Sequence, residues 1–255
     1  MTTFIIPDVH GCPSELETLI LTLNPQEGDS IISLGDLIDK GPDSPEVVRF
    51  FVELSKKFNV TLIQGNHEEQ FLKWLGRDEV KRLPMRKHEE FQTLNSELSD
   101  EDRDFLKSSV LFKNFSVNGQ EFLCVHGGVP QRIRDEFDTL PSLEEVSSMS
   151  SRWRRRFQIM LRLRFQNPEG KMVSLGNETD DDIFWSETYD GKFGFCFFGH
   201  NPFIEEGSQR LEHSLGLDGG CVNGGVLNGV VISDDGSFEM VSVKSGKIYS
   251  PSLHL

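Results

Sequence analysis

Five short apolar runs each stop abruptly at a polar loop. Phe4-Ile5-Ile6 enters "PDVHG", Ile31 to Leu34 enters "GDLIDKG", and Val60 to Ile63 enters "QGNHEE". Phe122 to Val125 enters "HGGV", and Phe195 to Phe198 enters "GHNP". Runs this short, apolar at consecutive positions, predict strands buried on both faces. Helical patterns lie between the early strands. Leu16, Leu19, Ile20 and Leu23 recur at helical spacing with Ser14 as the expected N-cap. Val47, Val48, Phe51 and Leu54 do the same, with Ser44 capping and Pro45 at the first helical position. Strand and helix alternate from residue 4 to about residue 75, which predicts βαβ units with right-handed crossovers. Ligands of such sheets bind beyond the carboxyl ends of the strands, where all five loops would open.

Residues 214 to 243 read as short strands joined by turns, with Asp235-Gly236 as a hairpin signal. They are expected to build a second, antiparallel sheet packed on the first. The fold class is therefore α/β, a sandwich of two mixed sheets flanked by helices. Residues 77–112 and 131–183 are polar, largely helical and without strand signals. They are expected to form a helical cap beside the site, as insertions in a single domain spanning 1–255.

The 255 residues, 36% apolar and 26% charged, suit a soluble globular protein. No apolar run approaches the roughly 18 residues of a membrane span. The segment "MTTFIIPDVHG" has no basic stretch ahead of its apolar run, so a cytoplasmic location and no membrane partner are expected. Cys12, Cys124, Cys196 and Cys221 are scattered, with neither zinc-ribbon pairs nor disulfide density, and are expected to be reduced. A net charge of −15 disfavours nucleic acid as a partner and slows encounter with anionic substrates. Phosphate chemistry on such a chain needs a local positive centre, which bound metal can supply.

The five loops carry Asp8 and His10, Asp36 and Asp39, Asn66 and His67, His126, and His200. Taken singly, each is as readily a turn former or an ordinary polar residue. Taken jointly, five separate strand ends supplying His, Asp and Asn exceed what turn chemistry asks for. Imidazole, carboxylate and amide oxygen together suit two divalent transition metals, with Asp36 as the shared ligand because it directly follows an apolar strand taken as central.

"DVHG", "GDLIDKG", "GNHE", "HGG" and "GH", in this order and spacing, resemble the motif set of the calcineurin-like metallophosphoesterases. More narrowly they resemble the phosphoprotein phosphatase type, with its bacterial and bacteriophage members and the symmetrical dinucleoside tetraphosphate hydrolases. The resemblance implies that Asp8, His10 and Asp36 hold one metal, and that Asp36, Asn66, His126 and His200 hold the other. It makes His67 the acid near the leaving group and Asp39 its carboxylate partner, with Lys40 and Asn66 binding substrate. Two divalent ions are implied as cofactors, manganese in vitro, with iron or zinc as alternatives. The implied reaction is attack of a metal-bridging hydroxide on a phosphate monoester, with a phosphoprotein or a small phosphoester as substrate. Glu68 fits the family's "GNHE" as a hydrogen-bonding support.

The chain also departs from that pattern. Lys40 and Gln64 stand where the family has arginine, and no arginine follows "FWSE". A guanidinium grips phosphate bidentately, whereas a lysine is a point charge. The run Arg152 to Arg156, followed by Arg162 and Arg164, is either a solvated basic helix face or a replacement clamp. Two rival functions stay open. A symmetrical bis(5'-nucleosyl)-tetraphosphatase is set against "GNHE", where "GNHD" is expected of such hydrolases. A catalytically silent scaffold is set against a complete set of ligands.

Overall fold

The computed structural model describes residues 1–76 and 84–251. The first part runs β1 (Thr3–Ile6), α1 (Pro13–Leu23), β2 (Ser30–Ser33), α2 (Ser44–Ser55), β3 (Asn59–Leu62) and α3 (Asn66–Leu75). Two helices, α4 (Met85–Glu97) and α5 (Asp100–Lys107), lead into β4 (Phe112–Val117) and β5 (Gln120–Val125). Three short helices follow, α6 (Gln131–Glu136), α7 (Leu143–Ser148) and α8 (Ser151–Gln158). The two-residue strands β6 (Phe165–Gln166), β7 (Met172–Val173) and β8 (Ile183–Phe184) come next. The last part comprises β9 (Phe195–Phe198), β10 (Gln209–Arg210), β11 (Ser214–Gly216), β12 (Val226–Ile232) and β13 (Phe238–Lys244).

All five apolar runs are strands. They divide between two five-stranded sheets, β13-β12-β1-β2-β3 and β10-β11-β9-β5-β4. β1, β2 and β3 are mutually parallel, as are β5, β9 and β11; antiparallel strands border the first trio on the β1 side and the second trio on both sides. Both sheets are therefore mixed. The tail does not form a sheet of its own: β12 and β13 extend the first sheet beside β1, and only β11 joins the second. The Asp235-Gly236 turn does close the β12–β13 hairpin, with Gly236 at φ 86°. β1 is the middle strand, so Asp36 follows a strand one place from the sheet edge.

Both-face burial explains the consecutive apolar positions. Ile5, Ile32, Phe122, Cys124, Phe197 and Val230 meet between the sheets. Their strand neighbours Phe4, Ile6, Ile31 and Leu62 turn outward against Leu16 and Leu19 of α1 and Val48 and Phe51 of α2. Leu123, Val125, Cys196 and Phe198 face outward on the other side, against Phe157, Met160 and Trp185. All four cysteines are free and buried.

The caps differ from expectation. Pro13 opens α1 behind Cys12, which makes no side-chain cap. Asp43 caps α2 by accepting from Glu46 N at 2.9 Å, because the Ser44 hydroxyl instead accepts from Asp39 N at 2.9 Å. In the first insertion α4 and α5 bury Phe91, Leu94 and Leu106 in the cluster of α1 and α2; its residues 77–83 lie outside the described residues. The second insertion is not purely helical, since β6, β7 and β8 form a small antiparallel sheet.

Phe197 packs between Phe122 and Phe238, at ring distances of 6.0 and 5.1 Å, and is fully buried. Phe197→Ala is expected to cost about 3–5 kcal/mol of stability, read by denaturant unfolding. A loss below about 1 kcal/mol would mean that the sheets do not pack through this ring.

Candidate metal centre

Hydrogen bonds between loops bring the five strand ends together. The Asp36 carbonyl accepts from Val9 N and His10 N at 3.2 and 2.8 Å. His200 N donates to both Asp8 carboxylate oxygens at 3.0 Å, and the His126 ring lies 2.8 Å from the Leu34 carbonyl. Seven non-glycine residues of the described chain have positive φ, and five of them are candidate site residues: His10 (46°), Asp36 (52°), Asp39 (72°), Lys40 (68°) and His200 (67°). The left-handed region costs an L-residue about 1–2 kcal/mol, so strain is concentrated here. Two glycines permit the close approach. A Cβ on Gly35 (φ 96°) would lie 2.5 Å from Gly65 N, and one on Gly199 would lie 2.0 Å from Asp8 Oδ2.

Asp36 is the hub. Its Oδ2 lies 3.4 Å from His126 Nε2, 3.6 Å from His10 Nε2 and 3.8 Å from His67 Nε2. Its Oδ1 accepts from His67 N at 3.0 Å. The Nδ1 atoms of His10 and His126 face the carbonyls of Ile38 and Leu34 at 3.0 and 2.8 Å, and a carbonyl can only accept. Nδ1 therefore carries a proton in each ring, and each ring, when neutral, turns an Nε2 lone pair toward Asp36. Lone pairs converging on a carboxylate call for a cation among them. Asn66 Oδ1 lies 3.2 Å from His126 Nε2. The His200 ring is 5.0 Å from the His126 ring, and one of its nitrogens shares a cluster with Asp36 and His126. His10, Asp36 and His67 form a second cluster, so Asp36 belongs to both.

The protonation balance shows the same demand. Burial works against charge on His126, yet Asp36 and Asp8 lift its pKa to about 9. Burial also opposes charge on Asp36, but His126 and His67 outweigh it and hold the carboxyl well below its usual range. Burial and the neighbouring Asp218 push the Asp8 carboxyl well above normal. His10 moves the other way, kept neutral by burial and by Lys40, whose Nζ lies 2.8 Å from His10 Nε2. The Lys40 ammonium thus occupies the lone pair that a metal would take. A donor set of imidazole, carboxylate and amide oxygen, short of positive charge, fits divalent transition metals.

Two supporting networks surround this cluster. The fully buried Glu68 carboxylate accepts four backbone amides, Gly65 N, Asp36 N, Leu37 N and Ile38 N, at 2.8 to 3.3 Å. It thereby clamps the loop after β2 to the start of α3. Burial and the charge of Asp36 nonetheless push its pKa up to about 7. Asp39 Oδ2 lies 2.5 Å from His67 Nδ1, and Lys87 Nζ of α4 reaches the same oxygen at 2.5 Å. The Lys40 position is met by no arginine, but the second insertion delivers two. Arg162 Nη2 bonds Glu69 at 2.5 Å, and Arg164 Nη2 donates to the His200 carbonyl at 2.8 Å. Arg164 Nε is buried without a partner among the described residues.

Sequence reasoning missed Asp218 and Lys87. Asp218 is buried near Asp8 and Lys40 and accepts from Gly220 N at 2.9 Å. Its signal was the same as that of the other loops, an apolar strand ending in "LDGG". Lys87 carried no signal, being one lysine on a polar helix.

A two-sheet α/β sandwich with His, Asp and Asn gathered at its strand ends is the architecture of a metallophosphoesterase. The family described as calcineurin-like phosphoesterase matches residues 1–203, and the chain belongs to it. The family uses divalent metal ions, and the chain is a metal-dependent phosphoric ester hydrolase. It is 27% identical over 258 residues to the bis(5'-nucleosyl)-tetraphosphatase PrpE [asymmetrical] of Bacillus subtilis (strain 168), covering 97% of this chain and 96% of that one. It is 28% identical over 267 residues to the symmetrical bis(5'-nucleosyl)-tetraphosphatase of Paracidovorax citrulli (strain AAC00-1), covering 90% and 92%. A crystal structure of a candidate diadenosine tetraphosphatase superposes with a TM-score of 0.67 at 23% identity, over 96% of this chain and 93% of that one. Among the described residues no helix is long and apolar enough to cross a membrane.

Glu68→Gln tests the clamp. The amide keeps one acceptor oxygen and turns an NH2 toward backbone donors. The variant is expected to lose about 2–4 kcal/mol of stability and to bind less metal, read by unfolding and by elemental analysis. Unchanged stability and metal content would show that the four amides find other acceptors.

Proposed function

We propose that the chain hydrolyses dinucleoside tetraphosphates. The observation that carries this reading is similarity to tetraphosphatases along 97% of the chain, so it includes both insertions as well as the loops common to the family. Beside Lys40 of the core, the insertions bring three further cations toward the candidate centre, Lys87, Arg162 and Arg164. Phosphoprotein substrates, favoured by "GNHE", draw no comparable support, because the full-length relatives above are all named for tetraphosphates.

In this reading Asp8, His10 and Asp36 would hold one divalent ion, and Asp36, Asn66, His126 and His200 the other. Manganese, iron and zinc all suit these donors. When bound, the pair would supply Lewis acidity toward phosphoryl oxygens and an activated water. Lys40, displaced from His10, would meet a phosphate oxygen with its ammonium. Arg164 has its buried Nε–H free to donate to another. His67 keeps its Nδ1 proton toward Asp39, which fixes the tautomer and aims Nε2 at the departing oxygen. Lys87 holds Asp39 from the far side.

Metal-loaded protein should turn over diadenosine tetraphosphate with a kcat/KM above those for a phosphoserine peptide and p-nitrophenyl phosphate. Chromatography would show either ADP alone or AMP with ATP. A phosphopeptide preferred over the dinucleotide would overturn the proposal.

A second expectation concerns His67. A nucleotide leaves as a weakly basic phosphate, whereas an alcohol leaves as a strongly basic alkoxide that needs a proton. His67→Asn should therefore cost about 10²-fold or more in kcat on an alkyl phosphate but under about tenfold on diadenosine tetraphosphate, with metal content retained. Equal losses on both would remove proton donation from its role.

A further inference from the structure

A cavity of about 490 Å³ opens between α6, α8 and the β6–β7 turn. Four cations form its rim: Arg132, Arg152, Arg156 and Lys171. Ile159, Leu163 and Met172 give it an apolar floor, and no aspartate or glutamate lines it. Among the described residues the ion pairs engage other lysines and arginines, and none of these four. In a chain with 41 acidic and 26 basic residues, four cations around one cavity with no ion-pair partner among the described residues run against the composition, and only Arg132 finds a carbonyl, that of Glu169 at 3.4 Å. Their mutual repulsion is unfavourable, and Arg152, in the first turn of α8, also opposes the helix dipole. An anion in the cavity would relieve both.

The walls are fixed in advance. The Arg156 guanidinium lies 4.4 Å from the centre of the Trp153 ring, which in turn packs on Phe137 at 5.1 Å. Gln166, buried in β6, accepts from Gln131 N at 2.8 Å and so ties the small sheet to α6. Asn167 accepts from Lys171 N at 2.9 Å, and Gly170 (φ 70°) closes the turn against Gln131. Leu163 lines the floor, while its neighbours Arg162 and Arg164 reach Glu69 and His200. The same short segment therefore lines the cavity through Leu163 and reaches the surroundings of the candidate centre through Arg162 and Arg164.

We propose that this cavity is a second binding site, for a soluble nucleoside polyphosphate. Its phosphates meet the arginine and lysine rim, and its base covers the apolar floor. The volume lies within the roughly 300–1,000 Å³ usual for small-molecule sites. The site stands independently of which phosphoester the metal centre cleaves.

Metal-loaded full-length protein is titrated calorimetrically with the non-hydrolysable β,γ-methylene analogue of ATP, with inorganic tripolyphosphate, and with adenosine. The parent should show a nucleotide site that Arg152→Gln/Arg156→Gln weakens about tenfold or more. Turnover of p-nitrophenyl phosphate by the double variant should stay within about twofold of the parent. Lys171→Gln gives a second, milder test on the opposite wall, and Arg152→Lys/Arg156→Lys should restore most of the affinity. Tripolyphosphate should bind more weakly than the analogue, and adenosine more weakly still. Titrations that all three substitutions leave unchanged would overturn the proposal, as would tripolyphosphate binding as tightly as the nucleotide.

Discussion

Uncompensated negative charge buried at one junction of strand ends governs this structure. Asp8, Asp36, Glu68 and Asp218 are all buried there, and an unpaired buried carboxylate costs several kcal/mol. Each is answered differently. Glu68 collects four amides, Asp8 takes the His200 amide on both oxygens, and Asp218 takes that of Gly220. Asp36 Oδ2 faces the imidazoles of His10, His67 and His126. At the imidazoles themselves, two charges among the described residues answer it, a proton on His126 and the ammonium of Lys40 on His10. Both are competitors of a metal for the same lone pairs. The same field that lifts His126 to about 9 would draw divalent ions in.

Such a junction needs a backbone that would not form on its own. Five site residues in the left-handed region together cost several kcal/mol. The cost is met by over-determination: Glu68 binds the amides of Asp36, Leu37 and Ile38, while Ser44 binds that of Asp39. This explains why the Ser44 hydroxyl is unavailable to cap α2 and why Asp43 does so instead. Local helix capping gave way to the geometry of the site.

The elements that could be read from the chain were those with a local cause. Consecutive apolar positions mark strands buried on both faces, and their polar stops mark the loops that meet. Sheet membership has no local cause: β12 could pair with β1 or with the second sheet by pattern alone, and only long-range packing assigns it to β1. Asp218 shared the punctuation of the other loops but sat among tail strands that read as turns and hairpins. Lys87 was illegible for another reason, since its partner Asp39 is far away in sequence; Arg164 stood out as a candidate clamp, but its partner, the His200 carbonyl, could not be read from the chain.

In the proposed reading, chemistry and recognition come from different parts of the chain. The loops after β1, β2, β3, β5 and β9 bring the candidate ligands, whereas the insertions bring Lys87 to Asp39, Arg162 to Glu69 and Arg164 to His200. With a net charge of −15, the protein repels a polyphosphate at long range, and salt screens that repulsion beyond roughly 8 Å. Affinity for such an anion therefore has to arise at contact distance, from cations held in place beforehand. Arg164, with one guanidinium nitrogen on the His200 carbonyl and Nε buried and unpartnered, is fixed in that way. A lysine could not reproduce it, because a single ammonium lacks the planar fork that holds the His200 carbonyl on one nitrogen while a second, rigidly placed N–H stays free.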